Sequence, residues 1–151
     1  MRRSSTNICE INFPAMSENE AFARMAASAF VMSGNPTLEE LSDIKTAISE
    51  AVTNAILHGY NQDGKGMVHM RFERDEDNFT FIVSDEGVGI DNIQQAMEPL
   101  YTSKPELERS GMGFSFMEAF MDSLTVESEP GKGTKITMTK SLGMDASDYG
   151  E

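Results

Sequence analysis

Apolar and polar residues alternate in Ile8-Cys-Glu-Ile-Asn-Phe13, the period of a strand with one buried face, and Pro14 closes it. The period then changes. Ala21, Phe22, Met25, Ala26, Ala29 and Phe30 recur at helical spacing behind Ser17, which with Glu20 forms an S-x-x-E capping box, and Gly34-Asn-Pro36 ends the helix. A second box, Thr37 with Glu40, opens the longest predicted helix. Its apolar stripe is Leu41, Ile44, Ile48, Val52 and Ile56, and Gly59 stops it. Gly64-Lys-Gly66 reads as a turn. Met67 to Arg74 and Phe79 to Ser84 read as strands joined at Asp75-Glu-Asp-Asn78. Phe114 to Met121 returns to the helical period. Ser123 to Ser128 and Thr134 to Lys140 are strands about the turn Glu129-Pro-Gly-Lys-Gly133. Helices first and antiparallel strands mostly later predict an α+β fold, a two-layer sandwich with helices on one sheet face.

Asp91 to Arg109 fits neither period. It holds Pro99, Pro105 and charges of both signs, and a connection this long in a compact domain is usually functional, here placed as a lid would be. The expected organisation is a flexible N-terminus over 1–7, one domain over 8–142 with its lid at about 91–109, and an acidic, disordered tail over 143–151. A formal charge of −13 and a pI near 4.5 argue against a nucleic-acid protein, whose footprint is a basic face. They suit a basic partner, or simply an acidic soluble protein. Cys9 is the single cysteine, so no internal disulfide forms and a reducing compartment is expected. Met1-Arg-Arg has no apolar core behind it, and no stretch approaches a membrane span, so a cytoplasmic location is expected.

Three short stretches carry the candidate chemistry. Glu50 and Asn54 stand four apart, on one face of the longest helix. An amide oxygen there can ligate a hard cation such as Mg²⁺, and a carboxylate one turn earlier can take a proton from an attacking hydroxyl. An isolated E-x-x-x-N is also an ordinary solvated helix face. Asp85 follows a strand and precedes Gly87 and Gly89; an ionised Asp accepts the amino hydrogens of adenine, and glycines let backbone approach the base. The bland alternative is a D-E-G turn. Ser110-Gly111-Met112-Gly113-Phe114 opens a helix, whose N-terminal N–H groups favour phosphate. It is neither a Walker A loop nor a Rossmann G-x-G-x-x-G. Alone it is a helix-entry turn; the three in this order point to ATP.

The order and spacing closely resemble the Bergerat-fold ATPases, the superfamily of histidine kinases, gyrase and a heat-shock chaperone. That resemblance implies a mixed, largely antiparallel sheet. It makes Glu50 and Asn54 the N box, Asp85-x-Gly87-x-Gly89 and Gly111-x-Gly113 the glycine boxes, and Thr134 the threonine that helps hold adenine. Ser49-Glu-Ala-Val-Thr-Asn-Ala-Ile56, His58-Gly-Tyr60 and Thr102-Ser-Lys-Pro-Glu-Leu-Glu-Arg-Ser-Gly-Met-Gly-Phe114 narrow it further. They are similar to the anti-sigma F factors of spore-forming bacteria, over roughly residues 8 to 140.

The resemblance implies a homodimeric serine-protein kinase that holds sporulation sigma factor F inactive in its ATP form. It also implies phosphorylation of a serine on an anti-anti-sigma partner, with no direct contact to nucleic acid or membrane. Glu50 would be the general base, and Asn54 the ligand of Mg²⁺. Phosphoryl transfer needs mainly positioning and charge neutralisation, so one base and one metal suffice. Thr102 and Met112 fall in the same nucleotide-binding stretch. Lys104 and Arg109 either reach the γ-phosphate or are solvated charges. His58 reads as structural near a helix end. Arg24 is either a partner contact or a snorkelling surface residue. The rival readings are a detached sensor-kinase domain, a nucleotide-gated sigma-binding module without kinase activity, and an anti-sigma kinase of a stress sigma factor. The first lacks an upstream acceptor histidine, since only His58 and His69 occur.

Overall fold

The computed structural model describes residues 6–59, 65–97 and 113–143. Strand β1 (Thr6–Pro14) leads to helices α1 (Asn19–Val31) and α2 (Leu38–Thr53), and α2 runs on through one wide turn, Asn54–Gly59. A hairpin of β2 (Met67–Asp75) and β3 (Asn78–Asp85) follows, then the short α3 (Ile93–Ala96). Helix α4 (Gly113–Phe120) precedes a second hairpin, β4 (Ser123–Glu129) and β5 (Gly133–Ser141). The expected α+β sandwich is present. The sheet has the order β1-β2-β3-β5-β4, and every pairing among the described strands is antiparallel rather than mixed. The reason lies in the helices. Helices α1 and α2 are a round trip that returns the chain to its starting edge, where Met67 pairs with Pro14 and Ala15 N–H donates to the Gly66 carbonyl at 2.8 Å.

Alternation decides which sheet face is covered. Val68, Met70 and Phe72 of β2, Phe79, Phe81 and Val83 of β3, and Ile136 and Met138 of β5 are buried beneath the helices. Phe30 of α1 packs on Phe72 and Phe79, with ring centroids 5.5 and 5.9 Å apart. The opposite face is polar: Arg71 bridges Glu10 at 2.5 Å and Glu73 at 2.6 Å, and His69 meets Asn12 at 2.6 Å.

Local signals mostly agree with the elements. The Thr37 box forms as expected, with Glu40 N–H donating to Thr37 Oγ1 at 3.0 Å and Thr37 N–H to Glu40 Oε1 at 2.9 Å. The Ser17 box does not. Helix α1 starts at Asn19 without a side-chain cap, because Ser17 sits in the turn off Pro14 and offers only its carbonyl, at 3.1 Å from Glu20 N. The Glu20 carboxylate is taken instead by Arg24, one turn on in the same helix, and by Thr53 of α2. Helix α3, capped by Asn92 on Gln95 N–H at 3.0 Å, occupies part of the stretch expected to be irregular. The remainder of the expected lid, 98–109, lies outside the described residues, as do residues 1–5, 60–64, 110–112 and the tail from 144.

Candidate nucleotide site

Helix α2 delivers both N-box residues. Its core face is Ile44, Ala47, Ile48, Ala51 and Val52, all fully buried, which turns Glu50 and Asn54 to a half-buried edge. At Asn54 the helix widens from α to π geometry through Gly59. Such wide turns inside helices concentrate at functional sites, because they redirect side chains without ending the helix. This one ends on the first glycine box: the Gly59 carbonyl accepts the Val88 N–H at 2.9 Å.

Asp85 is the last residue of β3, 7% exposed, and lies opposite Thr134 in the β3–β5 register. The Gly87 N–H donates to its Oδ1 at 2.9 Å. Burial raises its pKa above the ordinary carboxylate value, opposed in part by the backbone N–H groups of Gly87 and Thr134. Gly59 lies against the same carboxylate: a Cβ there would stand 3.0 Å from the Asp85 carboxyl carbon. At Gly87 a Cβ would collide with the Gly59 carbonyl, and Gly89, at φ +77°, would drive one into the Glu129 carbonyl. Both glycines are therefore required by backbone closeness.

Thr134, 5% exposed, is held by Ser128 Oγ at 2.8 Å. Ser128 also donates to the Gly133 carbonyl at 2.9 Å and accepts the Ile90 N–H at 2.8 Å. One hydroxyl thus joins the segment after the first glycine box to the turn before β5. Ser128 and Gly59 were missed as site residues in the sequence. Gly59 reads as a helix stop and as part of His58-Gly-Tyr60, with no place in the pocket, and a lone serine in a strand carries no signal.

Gly113 is the first residue of α4, and Phe114 behind it is buried. A Cβ on Gly113 would lie 3.4 Å from Glu50 Oε2, so the Glu50 carboxylate reaches the N-terminal end of α4. The structure thus joins Glu50 to Gly113, and Asp85 to Gly59, Gly87 and Thr134, with the π turn linking the two groups. Thr102, Lys104, Arg109, Ser110, Gly111 and Met112 lie outside the described residues. His58 is half-buried in the π turn. Arg24, expected as a partner contact or a snorkelling cation, binds Glu20 at 3.0 Å and Ser49 at 3.1 Å.

A buried acceptor carboxylate beside glycines with no room for side chains fits an adenine edge, and a glycine at a helix N-terminus fits phosphate. Among the described residues no group of three or more His, Cys, Asp or Glu gathers around a metal position. An amide oxygen from Asn54 together with phosphate and water oxygens is a donor set that fits a hard divalent cation.

Residues 13–140 match the family of histidine kinase-like ATPase domains. Over 140 residues the chain is 56% identical to an anti-sigma F factor of Clostridium beijerinckii, covering 93% of this chain and 98% of that one. The anti-sigma F factor of Clostridium perfringens strain SM101 is 58% identical over 136 residues, covering 90% of this chain and 97% of its own. The chain belongs to the anti-sigma F factor family. It is built on a histidine kinase-like ATPase domain, which accounts for the nucleotide motifs. A crystal structure of the RsbU and RsbW domains of a Mycobacterium tuberculosis protein has the same fold, at TM-score 0.65 and 22% identity, over 90% of this chain and 32% of that one. The family match spans every site residue named above. Among the described residues no helix is long and apolar enough to cross a membrane.

Proposed function

We propose that this anti-sigma F family member binds ATP with Mg²⁺, holds sporulation sigma factor F inactive in that state, and phosphorylates a serine of an anti-anti-sigma partner. The observation that carries the kinase reading is the reach of the Glu50 carboxylate to Gly113, at the start of α4. A base is useful only where the acceptor hydroxyl meets the terminal phosphate, and a helix N-terminus is where phosphate is favoured.

In this reading Asp85 accepts the adenine amino hydrogens, while Gly87, Gly89 and Thr134 shape the base pocket. Gly111 and Gly113 take the phosphates, with Thr102, Lys104, Arg109, Ser110, Met112 and Phe114 around them. Asn54 holds Mg²⁺, which when bound neutralises phosphate charge. Glu50 accepts the proton of the partner's serine as its Oγ–P bond forms and the P–O bond to the leaving ADP breaks. The protein acts in the cytoplasm as a homodimer.

Glu50→Gln keeps the shape and removes the base. Nucleotide binding and sigma capture are expected to survive, while transfer from γ-labelled ATP to the partner's serine falls roughly 10²–10⁴-fold. Asn54→Ala is expected to lose Mg²⁺-dependent nucleotide binding, and with it both activities. Wild-type transfer by Glu50→Gln would remove Glu50 as base, and no transfer by the wild-type protein would leave a nucleotide-gated sigma-binding module.

A further inference from the structure

Helix α1 grips α2 one turn away from the proposed chemistry. Thr53 Oγ1 donates to Glu20 Oε2 at 2.7 Å. Arg24 donates to Glu20 Oε1 at 3.0 Å and to Ser49 Oγ at 3.1 Å. The Glu20 side chain is only 14% exposed, so a carboxylate has been drawn between two helices and satisfied there by two donors. These groups line a solvent-open cleft between α1 and α2 that also includes Glu50.

The position of Thr53 matters more than its bond count. It is the last α-helical residue before the π turn, with Glu50 three residues before it and Asn54 directly after. A helical threonine otherwise tends to donate to the carbonyl four residues back, here Ser49, and that bond bends helices. Glu20 takes the hydroxyl away from that use. Ser49 and Thr53 are both held from α1, so the turn carrying Glu50 is tied at each end just where the helix changes geometry.

We infer that Glu20, acting through Thr53, is a positioning residue that sets the rotation of the α2 turn bearing Glu50. The inference rests on the kinase reading for its functional consequence, though not for the clamp itself. Arg24 supports the clamp by neutralising Glu20. Among the described residues Glu20 and Thr53 bond to Arg24 and to each other rather than to Asp85, Gly87 or Gly113, so the effect falls on alignment rather than on binding.

Thr53→Val keeps the β-branched shape and removes the donor; Thr53→Ser keeps the donor. With Thr53→Val, kcat for phosphorylation of the partner's serine is expected to fall about tenfold. Kd for Mg·ATP and KM for the partner should stay within about twofold of wild type, and Thr53→Ser should restore kcat. An unchanged kcat, or a parallel loss of nucleotide affinity and melting temperature that serine does not rescue, overturns the assignment. Amide hydrogen exchange over residues 50–57 reads the clamp without chemistry: Thr53→Val should exchange about tenfold faster than wild type with nucleotide bound. Equal exchange overturns the clamp even if the kinase reading holds. Faster exchange with no transfer by wild type instead overturns the kinase reading alone.

Discussion

Asp85 is the residue where burial and charge conflict most directly. Its carboxylate pKa is raised because desolvation outweighs the two backbone N–H groups that favour the ionised form. The sign follows. Between the unfolded-state pKa and the raised native one, the native protein holds more protons than the unfolded chain, so stability falls as pH rises through that window. Adenine needs the opposite form, an acceptor-only carboxylate. The expected result is that the apo protein loses stability with rising pH across the window, while nucleotide affinity rises. Asp85→Asn should flatten the stability component and lower ATP affinity at every pH, because one acceptor oxygen becomes a donor facing the amino group. Thermal melts with and without Mg·ATP over a pH series measure both, since a ligand that binds only the native state raises the melting temperature. Parallel pH curves for the two proteins would count against this account.

At the scale of elements, helix α2 separates stability from function along its length. Its first turn is secured by the Thr37–Glu40 box, well away from the site. Thr37→Ala should cost about 1 kcal/mol in urea unfolding and leave nucleotide affinity unchanged. Its last turn closes onto the first glycine box through the Gly59 carbonyl and Val88 N–H. Gly87→Ala puts a methyl into that carbonyl, and both partners are backbone, so neither yields by rotating a side chain. It should cost about 1–3 kcal/mol and also weaken ATP binding severalfold. Equal nucleotide affinity in both variants would mean that the closure of α2 on the glycine box does not shape the pocket. Helix α4 is fixed at its far end too, where Lys140 Nζ donates to the Phe120 carbonyl at 2.7 Å and lies 3.8 Å from Asp43 of α2. A cation on a helix C-terminus opposes its negative dipole end.

The whole molecule carries a formal charge of −13, far more than its pocket needs. On the outer sheet face Arg71 is shared by Glu10 and Glu73, so that cluster too is net negative. A strong field of one sign steers partners of the other sign and is screened by salt. Association with a sigma factor that presents a basic face should therefore slow about tenfold between roughly 0.05 and 0.5 M salt, measured by stopped flow. A rate indifferent to salt would assign the charge to solubility alone.

The one-dimensional pattern determined the elements, and in order. Period two against period 3.6 marks strands whose alternate residues meet one core, and helices with an apolar stripe. In α1, though, the stripe read from the sequence is not the buried face: Phe22 and Met25 are exposed, while Ala23, Ala27 and Val31 are buried. The Thr37 box and the Asp75–Asn78 turn were legible because every partner lies within a few residues. The motif residues Glu50, Asn54, Asp85, Gly87, Gly89 and Gly113 were legible as types at spacings, and the family match covers them. What only the tertiary structure decided were bonds between residues far apart in sequence. Ser17 and Glu20 have the spacing of a cap, yet Glu20 is claimed by Thr53, 33 residues on, as well as by Arg24 in its own helix. Gly59 reads as a stop, but its packing on Asp85 and Gly87 depends on β3 lying beside the end of α2. Ser128 becomes the link between Ile90 and Thr134 only once β4 pairs with β5. The π turn at Asn54 has no periodic signature of its own. It lies between the apolar stripe of α2 and the contacts that Gly59 makes with Asp85 and Gly87, and those contacts exist only in three dimensions.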